Sequence, residues 1–439
     1  MSEPESAFPP MLEVKPLARP PHATVRVPGS KSITNRALVL AALTRRGCEV
    51  KGALRSEDTN VMIESLRRLG FSVAEDWASG TVAVRSPNVC RVIPADSADL
   101  WVANSGTTMR FLTALVSVGS GRYRLDGVAR MRERPIGGLL DALRQVGVEA
   151  LSEADNGCPP VIVAPRGGWQ GSEIHIRGDV SSQFLSGLMM AAVASQKEWR
   201  TVRLFLDGPL VSAPYVEMTL DMMEAWGIEA GWDRDGKVIM VEPHWQGSPA
   251  QYGVEPDASA ASYFWAAAAL TGGAVRVEGL TARSLQGDIR FVDVLRQMGC
   301  AVRHEQGGIT VEGRPLRGID VDMNDISDTV MTLAAVACFA DGPTTIRNVA
   351  HVRHKETDRL AALATELRRL GAEVEERADG LTITPGRLRG AEVETYDDHR
   401  MAMSLALVGL RVPGVVIKNP ACVSKTYPGF FADLERLRC

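Results

Sequence analysis

Five amphipathic segments of the chain end alike, in Leu66-Arg-Arg-Leu-Gly70, Leu143-Arg-Gln-Val-Gly147, Met223-Glu-Ala-Trp-Gly227, Leu295-Arg-Gln-Met-Gly299 and Leu367-Arg-Arg-Leu-Gly371. Glycine after a last apolar turn stops a helix, because it takes the left-handed conformation at no steric cost. Alternating residues broken by a turn follow each stop, as in Ala301-Val-Arg-His, Gln306-Gly-Gly and Ile309-Thr-Val, or Ala372-Glu-Val, Asp379-Gly and Leu381-Thr-Ile-Thr. That pattern predicts a β-hairpin. The stops lie 77, 80, 72 and 72 residues apart. Out of phase with them, six almost uniformly apolar stretches begin near Ala37, Phe111, Leu185, Ala261, Met331 and Ala402. A helix apolar on every side belongs in an interior, and the Ala, Leu and Met of these stretches favour helix over strand.

The chain therefore reads as six copies of one unit, each with a buried helix, an amphipathic helix and a hairpin. The sixth amphipathic helix is expected at Phe431-Ala-Asp-Leu-Glu-Arg-Leu437, where the chain stops short of a hairpin. The segment Met11-Leu-Glu-Val is expected to supply the missing strand and close the cycle.

A length of 439 residues accommodates two to four domains. Lys and Arg number 49 against 53 Asp and Glu, a net charge of −4, which leaves no cationic excess for nucleic acid or an anionic membrane. Affinity for anions has to come from local clusters. Seven cysteines, an odd number without a CxxC pair, suit a reduced, cytosolic chain. Met1-Ser-Glu-Pro-Glu-Ser lacks the basic flank and apolar core of a signal peptide. No apolar run approaches the roughly 18–20 residues that span a bilayer. A soluble, cytoplasmic protein is expected.

The starts of the apolar helices are polar and chemically specific: Gly29-Ser-Lys-Ser-Ile-Thr-Asn-Arg36, Asn104-Ser-Gly-Thr-Thr-Met-Arg110, Ser181-Ser-Gln183, Asp257-Ala-Ser259, Asp325-Ile-Ser-Asp328 and Asp397-Asp-His-Arg400. Ser, Thr, Asp and Asn cap orphan amides, and capping suffices for Asp257 and Ser259. It does not account for Lys31, Arg36, Arg110 and Arg400, which oppose the helix dipole unless an anion shares the site. A substrate with several negative charges is implied. The densest cluster is His351-Val-Arg-His-Lys-Glu-Thr-Asp-Arg359, where a helix would put Lys355 and Arg359 on one face with Glu356 beside it. A solvated charge run is the plainer alternative. Gly29-Ser-Lys-Ser lacks the upstream glycine of a phosphate-binding P-loop, and no Gly-x-Gly-x-x-Gly follows a strand, so neither a nucleoside triphosphate nor a dinucleotide is expected. His351 and His354 have no third metal ligand at a usual spacing, so no metal is expected.

Taken together, Pro28-Gly-Ser-Lys-Ser-x-x-Asn-Arg36, Asn104-x-Gly-Thr-x-Met-Arg110, Arg130-Met-Arg-Glu-Arg-Pro135, Ser181-Ser-Gln-Phe184, Lys355-Glu-Thr-Asp-Arg359 and Asp398-His-Arg-Met-Ala-Met403 resemble the motifs of the EPSP synthase family of enolpyruvyl transferases. The resemblance extends in family order over residues 28–425. It implies a two-domain α/β fold of six βαβαββ repeats, three per domain, around buried parallel helices. The implied domains are residues 28–252, inserted within 1–27 plus 253–439, with the substrate cleft between them. The implied reaction moves the enolpyruvyl group of phosphoenolpyruvate to the 5-hydroxyl of 3-phosphoshikimate, without a cofactor and in a monomer.

Residue by residue, Lys31, Ser32, Arg36, Ser181, Ser182, Gln183, Ser212, Asp328, His351 and Lys355 match positions that hold 3-phosphoshikimate in this family. Lys31, Asn104, Gly106, Arg130, Gln183, Arg359, Arg400 and Lys425 match those around phosphoenolpyruvate. Asp328 matches the base for the 5-hydroxyl and Glu356 the acid for the methylene carbon, with Lys31 between both substrates. Phe111 and His351 depart from the common Pro and Asn, while Gly106 keeps the small side chain that admits glyphosate, the family's inhibitor. The sister enzymes acting on a uridine diphosphate amino sugar usually carry a reactive Cys in the loop matching residues 122–134, and this chain has none there. A ring of repeats around nucleic acid is disfavoured by the acidic net charge.

Overall fold

The computed structural model describes residues 8–44, 46–87, 90–195, 200–245 and 247–438. The acidic segment at the N-terminus and Cys439 lie outside the described residues. The chain divides into two compact units, Gly29–Val254 and Met1–Pro28 with Glu255–Cys439. Helices α1 (Lys31–Leu43), α2 (Glu57–Arg68), α3 (Gly106–Val116), α4 (Gly137–Gln145), α5 (Ser182–Ala192) and α6 (Pro214–Ala225) belong to the first. The second holds α7 (Ala258–Thr271), α8 (Phe291–Gln297), α9 (Val330–Ala337), α10 (Arg359–Arg369), α11 (His399–Gly409) and α12 (Phe430–Glu435).

The odd-numbered helices are the apolar series, and every residue of α9 and α11 is buried. The even-numbered ones are amphipathic: α2 buries Met62, Ile63 and Leu66 and turns Arg67 and Arg68 outward. The five predicted stop glycines, Gly70, Gly147, Gly227, Gly299 and Gly371, take φ of +90°, +80°, +72°, +117° and +100°, the left-handed region that ends a helix without a Cβ clash.

Each repeat builds a small sheet of its own. Ser97–Trp101 pairs parallel with Arg122–Asp126, and the hairpin strand Val161–Ala164 lies antiparallel between Arg122–Asp126 and Glu149–Ser152. With α3 and α4 interposed, this is a βαβαββ unit, and Asp320–Asp322, Thr344–Arg347, Gly380–Thr384 and Glu373–Arg377 repeat the order around α9 and α10. In each unit a strand distant in sequence completes a sheet. Gln251–Gly253 returns to pair parallel with Cys48–Lys51, and His22–Val25 pairs parallel with Ala274–Val277. Met11–Val14, expected to supply the sixth unit's missing strand, pairs antiparallel with Val415–Lys418, and the sixth amphipathic helix is α12.

The centres of the two units differ in chemistry. Helices α7, α9 and α11 each contribute one hydroxyl from their first two turns: Ser262 lies 3.0 Å from Thr332, and Thr332 lies 3.4 Å from Ser404. The three helices therefore begin at one end of the bundle. At the matching level of α1, α3 and α5 stand Arg36, Phe111 and Ser186, with the Arg36 guanidinium 3.0 Å from Ser186 Oγ and 5.1 Å from the Phe111 ring centroid. One deviation concerns α9. The polar Asp325-Ile-Ser-Asp328 forms a separate 3₁₀ segment, Asn324–Thr329, kinked at Ile326 (φ −126°, ψ 38°), so Asp328 sits before the helix rather than within it.

The closing strand should contribute measurably. Val14 is buried opposite Val415, whereas Glu13 is exposed. Val14→Asp should lower unfolding stability by about 3 kcal/mol through burial of an unpaired carboxylate, and Glu13→Ala should change it by under about 0.5 kcal/mol. Urea unfolding of both variants checks this; equal effects would mean the strand does not hold its unit together.

Candidate active site

In the first unit the start of α1 is capped by Ser30, which accepts from the Ile33 amide. Lys31 opens the helix and lies 3.4 Å from the Asp58 carboxylate. Arg36, one turn further in, is almost wholly buried. Its guanidinium donates to Thr219 Oγ1 (2.8 Å), Ser186 Oγ (3.0 Å) and the carbonyls of Ser32 (3.0 Å) and Tyr215 (3.1 Å). All four acceptors are neutral, and no ion pair among the described residues includes Arg36. Burial without a counter-charge pulls this guanidinium down to about 10. Through those bonds Arg36 joins α1, α5 and α6. Ser181 caps α5 by accepting from the Gln183 amide at 3.2 Å, and Ser182 is buried behind it. Ser212 occupies the left-handed region (φ +53°) in the turn whose carbonyl accepts from Tyr215, so it stands at the head of α6. Arg36 thus ties the first turn of α1, through Ser32, to α5 and α6, the helices headed by Ser181 and Ser212.

The start of α3 gathers a second set. Arg134 donates to the Asn104 carbonyl (3.0 Å) and to Asn104 Oδ1 (3.2 Å). Arg110 donates to the carbonyls of Gly106 (3.3 Å) and Pro135 (3.0 Å). Both arginines are 3% exposed. A Cβ on Gly106 would lie 2.3 Å from an Arg134 nitrogen and 2.9 Å from one of Arg110, so the glycine makes room for two guanidinium groups. Arg130, expected at the phosphoenolpyruvate position, belongs to the 3₁₀ segment Ala129–Glu133 and pairs at 2.9 Å with the exposed Glu133. Arg134, which the sequence reading did not single out, is the arginine that contacts Asn104. The signal was in the motif: the residue before a proline is driven into extended backbone, and Arg134 (φ −84°, ψ 126°) leaves the 3₁₀ turn there and points inward.

The second unit answers with carboxylates. Asp328 lies 2.7 Å from Arg400, 3.4 Å from Arg359 and 4.0 Å from Lys355. Arg359, 1% exposed, also holds Glu356 at 2.8 Å and Asp398 through two hydrogen bonds of 2.8 and 3.2 Å. Burial works against its charge, but Asp398, Glu356 and Asp328 more than offset that and raise it. Asp398 caps α11, accepting from the Arg400 amide at 2.9 Å. Its place as the partner of Arg359 was not anticipated, although the Asp-His-Arg motif contains it. Lys425 is buried in the 3₁₀ segment Pro420–Lys425 that packs against α11.

Lys355 and Arg359 do not share a helix face. His351 lies in a 3₁₀ segment, Lys355 is extended, and α10 starts only at Arg359, capped by Asp358. Asp358 also binds Arg353 at 2.9 Å, which in turn donates to Glu376 and the Arg377 and Ala378 carbonyls. This clamp fixes a loop from which both cations still reach Asp328. The buried His351 is held far down, to about 3, by desolvation and then by the charge of Lys355. Among the described residues no group of His, Cys, Asp and Glu has the makings of a metal site.

The profile of EPSP synthase (3-phosphoshikimate 1-carboxyvinyltransferase) matches residues 18–434. The chain belongs to the EPSP synthase family. A family relative, the 3-phosphoshikimate 1-carboxyvinyltransferase of Nostoc punctiforme, is 47% identical over 424 residues, 96% of this chain and 97% of that one. The chloroplastic relative of Solanum lycopersicum is 45% identical over 431 residues, covering 94% of this chain and 82% of its own. Among solved structures, an EPSP synthase of Acinetobacter baumannii superposes with a TM-score of 0.80 at 25% identity, covering 97% of this chain and 98% of that one. The enolpyruvyl transferase NikO of Streptomyces tendae (TM-score 0.74, 19% identity, 97% of each chain) shares the fold. The α/β architecture of repeated small sheets and buried helices is therefore the EPSP synthase fold.

A neutral imidazole at His351 has a consequence for stability. With its folded value near 3 and an unfolded value near 6.5, the native state binds fewer protons than the unfolded one between those limits. Stability from this group is complete above pH 6.5 and declines as pH falls towards 3, by at most about 1.4 kcal/mol per pH unit. Chemical unfolding of His351→Asn and the parent from pH 4 to 7 should show a shallower acid decline in the variant; parallel curves would contradict a buried neutral imidazole.

Proposed function

We propose that this chain transfers the enolpyruvyl group of phosphoenolpyruvate to the 5-hydroxyl of 3-phosphoshikimate, releasing phosphate and 5-enolpyruvylshikimate 3-phosphate. Its place is the shikimate pathway, towards chorismate and the aromatic amino acids. One observation carries the reading: a carboxylate, Asp328, stands among Lys355, Arg359 and Arg400 beside a second carboxylate, Glu356, on the same arginine. That is an acid–base pair inside an anion-binding set. Each substrate has a phosphate and a carboxylate, and guanidinium and ammonium groups are their natural partners.

In our reading the first unit receives anions at its helix starts. Arg36, Ser32, Ser181, Ser182 and Ser212 supply donors for the shikimate carboxylate and phosphate, with Lys355 and His351 added from the second unit. Arg130, Arg359, Arg400 and Lys425 take the phosphoenolpyruvate charges, Asn104 and Gly106 line its place, and Lys31 and Gln183 stand between both substrates.

An alcohol is a weak nucleophile near neutral pH and needs a positioned base. Asp328 in the free protein is engaged by three cations, which hold its electron pairs. When substrate anions draw Arg359, Arg400 and Lys355 towards themselves, the Asp328 carboxylate is freed to take the 5-hydroxyl proton. Glu356 gives a proton to the methylene carbon of phosphoenolpyruvate, and the alkoxyl oxygen adds to C2, forming a tetrahedral ketal phosphate. Loss of a methyl proton and expulsion of phosphate then give the enol ether. The cations stabilise the charge of the intermediate and the leaving phosphate. We further propose that the protein works as a cytoplasmic monomer without a cofactor, and that glyphosate inhibits it. Gly106, which has room for no side chain beside Arg110 and Arg134, supports this last point. No helix among the described residues is long and apolar enough to cross a membrane.

The test is phosphate release with both substrates and with each omitted. Release should require both, and equal release with a uridine diphosphate amino sugar in place of 3-phosphoshikimate would overturn the assignment. Asp328→Ala and Glu356→Gln should each lose roughly 10²-fold or more in kcat while 3-phosphoshikimate still binds; near-full turnover in either removes its role. Arg130→Ala should raise the phosphoenolpyruvate KM by about 10-fold or more. A change under about threefold would remove Arg130 from the site.

A further inference from the structure

Behind Asp328 lies a buried carboxyl that no step above uses. Asp288 is 4% exposed, on the 3₁₀ segment Gly287–Arg290, and accepts a hydrogen bond from Ser259 Oγ in the first turn of α7. Ser259 and Tyr263 are four residues apart and share a helix face. Tyr263 Oη receives Arg400 at 3.5 Å, and Arg400 holds Asp328 at 2.7 Å. Asp288 thus stands one helical turn along α7 from the cation that grips the proposed base. A second link ties the two 3₁₀ segments together: Arg290 donates at 3.1 Å to Asp325, three residues before Asp328.

We propose that Asp288 is a positioning residue for the proposed base: by gaining or losing its own proton it sets the charge next to Asp328 and Arg400, and so tunes the proton acceptor. This rests on the reading of Asp328 as base. The surroundings favour the role. Burial first, and then the negative charge of Asp328, push the Asp288 carboxyl up to about 7, with Asp257 at the cap of α7 adding to the rise. Ser259 and Arg400 act the other way. Asp288 is therefore neutral in mild acid and ionised in mild base. Its ionised form, a like charge beside Asp328, makes that carboxylate the stronger base and competes for Arg400.

Turnover of the parent, Asp288→Asn and Asp328→Ala at saturating phosphoenolpyruvate and 3-phosphoshikimate, from pH 6 to 8, tests this. Asp288→Asn should stay within about twofold of the parent at pH 6, where both side chains are neutral, and fall about threefold or more below it at pH 8. A loss equal at both pH values marks a purely structural role and overturns the proposal, as does no loss at either. Urea unfolding gives a readout apart from turnover. A raised carboxyl contributes stability that is lost as pH rises through about 7, so the parent should lose stability from pH 5 to 8 relative to Asp288→Asn; parallel curves count against the proposal. If Asp288→Asn does not fold, Ser259→Ala decides: without the donated hydrogen bond the parent's step in turnover should move to higher pH, and an unmoved step overturns it. Turnover retained in Asp328→Ala would instead sink the base assignment while leaving the Asp288 stability slope in place.

Discussion

A cation in the first turns of a buried helix is the constraint on which this molecule turns. The helix dipole already presents partial positive charge there, so each Lys or Arg has to be compensated by something. Repeats of one βαβαββ plan place such starts together, and the two units solve the problem in opposite ways. In the second unit Asp328, Glu356 and Asp398 surround Arg359 and Arg400. In the first, Arg36 is held by hydroxyls and carbonyls, so its charge is oriented without being neutralised. One unit keeps its cations on internal carboxylates. The other holds a buried cation on neutral oxygens, which suits the proposed role of receiving an anion.

The stability cost of this arrangement is concentrated and the scaffold around it is conventional. Apolar helices, glycine stops and hairpins repeat with little variation, and the interhelical contacts of α7, α9 and α11 need only three hydroxyls. Desolvating charge is expensive, and breaking a buried pair leaves the partner uncompensated. The repeats diverge at two of the proposed site residues: Arg36 stands at the level where the other unit has a serine or threonine, and Asp328 sits on a kinked 3₁₀ segment where other repeats begin a regular helix.

Much of this was legible in the sequence because it rests on local rules. Glycine after an apolar turn predicts a left-handed stop, and all five predicted stops occur. Uniform apolarity predicts an interior helix, and α9 and α11 are buried throughout. What stayed hidden depended on backbone detail or on distant partners. Arg130 and Arg134 are indistinguishable by residue type, and the extended backbone before Pro135 separates the half-buried one from the buried one. Helical spacing put Lys355 and Arg359 on one face, yet the Asp358 cap and the Arg353 clamp start the helix four residues later. The partners of Asp398 and Asp288 lie 39 and 29 residues away along the chain, so local pattern does not reveal them.

The central claim is that the cations at these helix starts are held for substrate phosphate and carboxylate. Calorimetric titration of the protein with 3-phosphoshikimate and with shikimate, at matched pH and ionic strength, tests it most directly. The two ligands differ only in the phosphate. With charge-assisted hydrogen bonds contributing about 1.5–3 kcal/mol each, two of them to the phosphate predict binding weaker by roughly 10²-fold or more for shikimate. Equal affinities would mean that the serine and lysine cluster does not receive a phosphate, and would contradict the account.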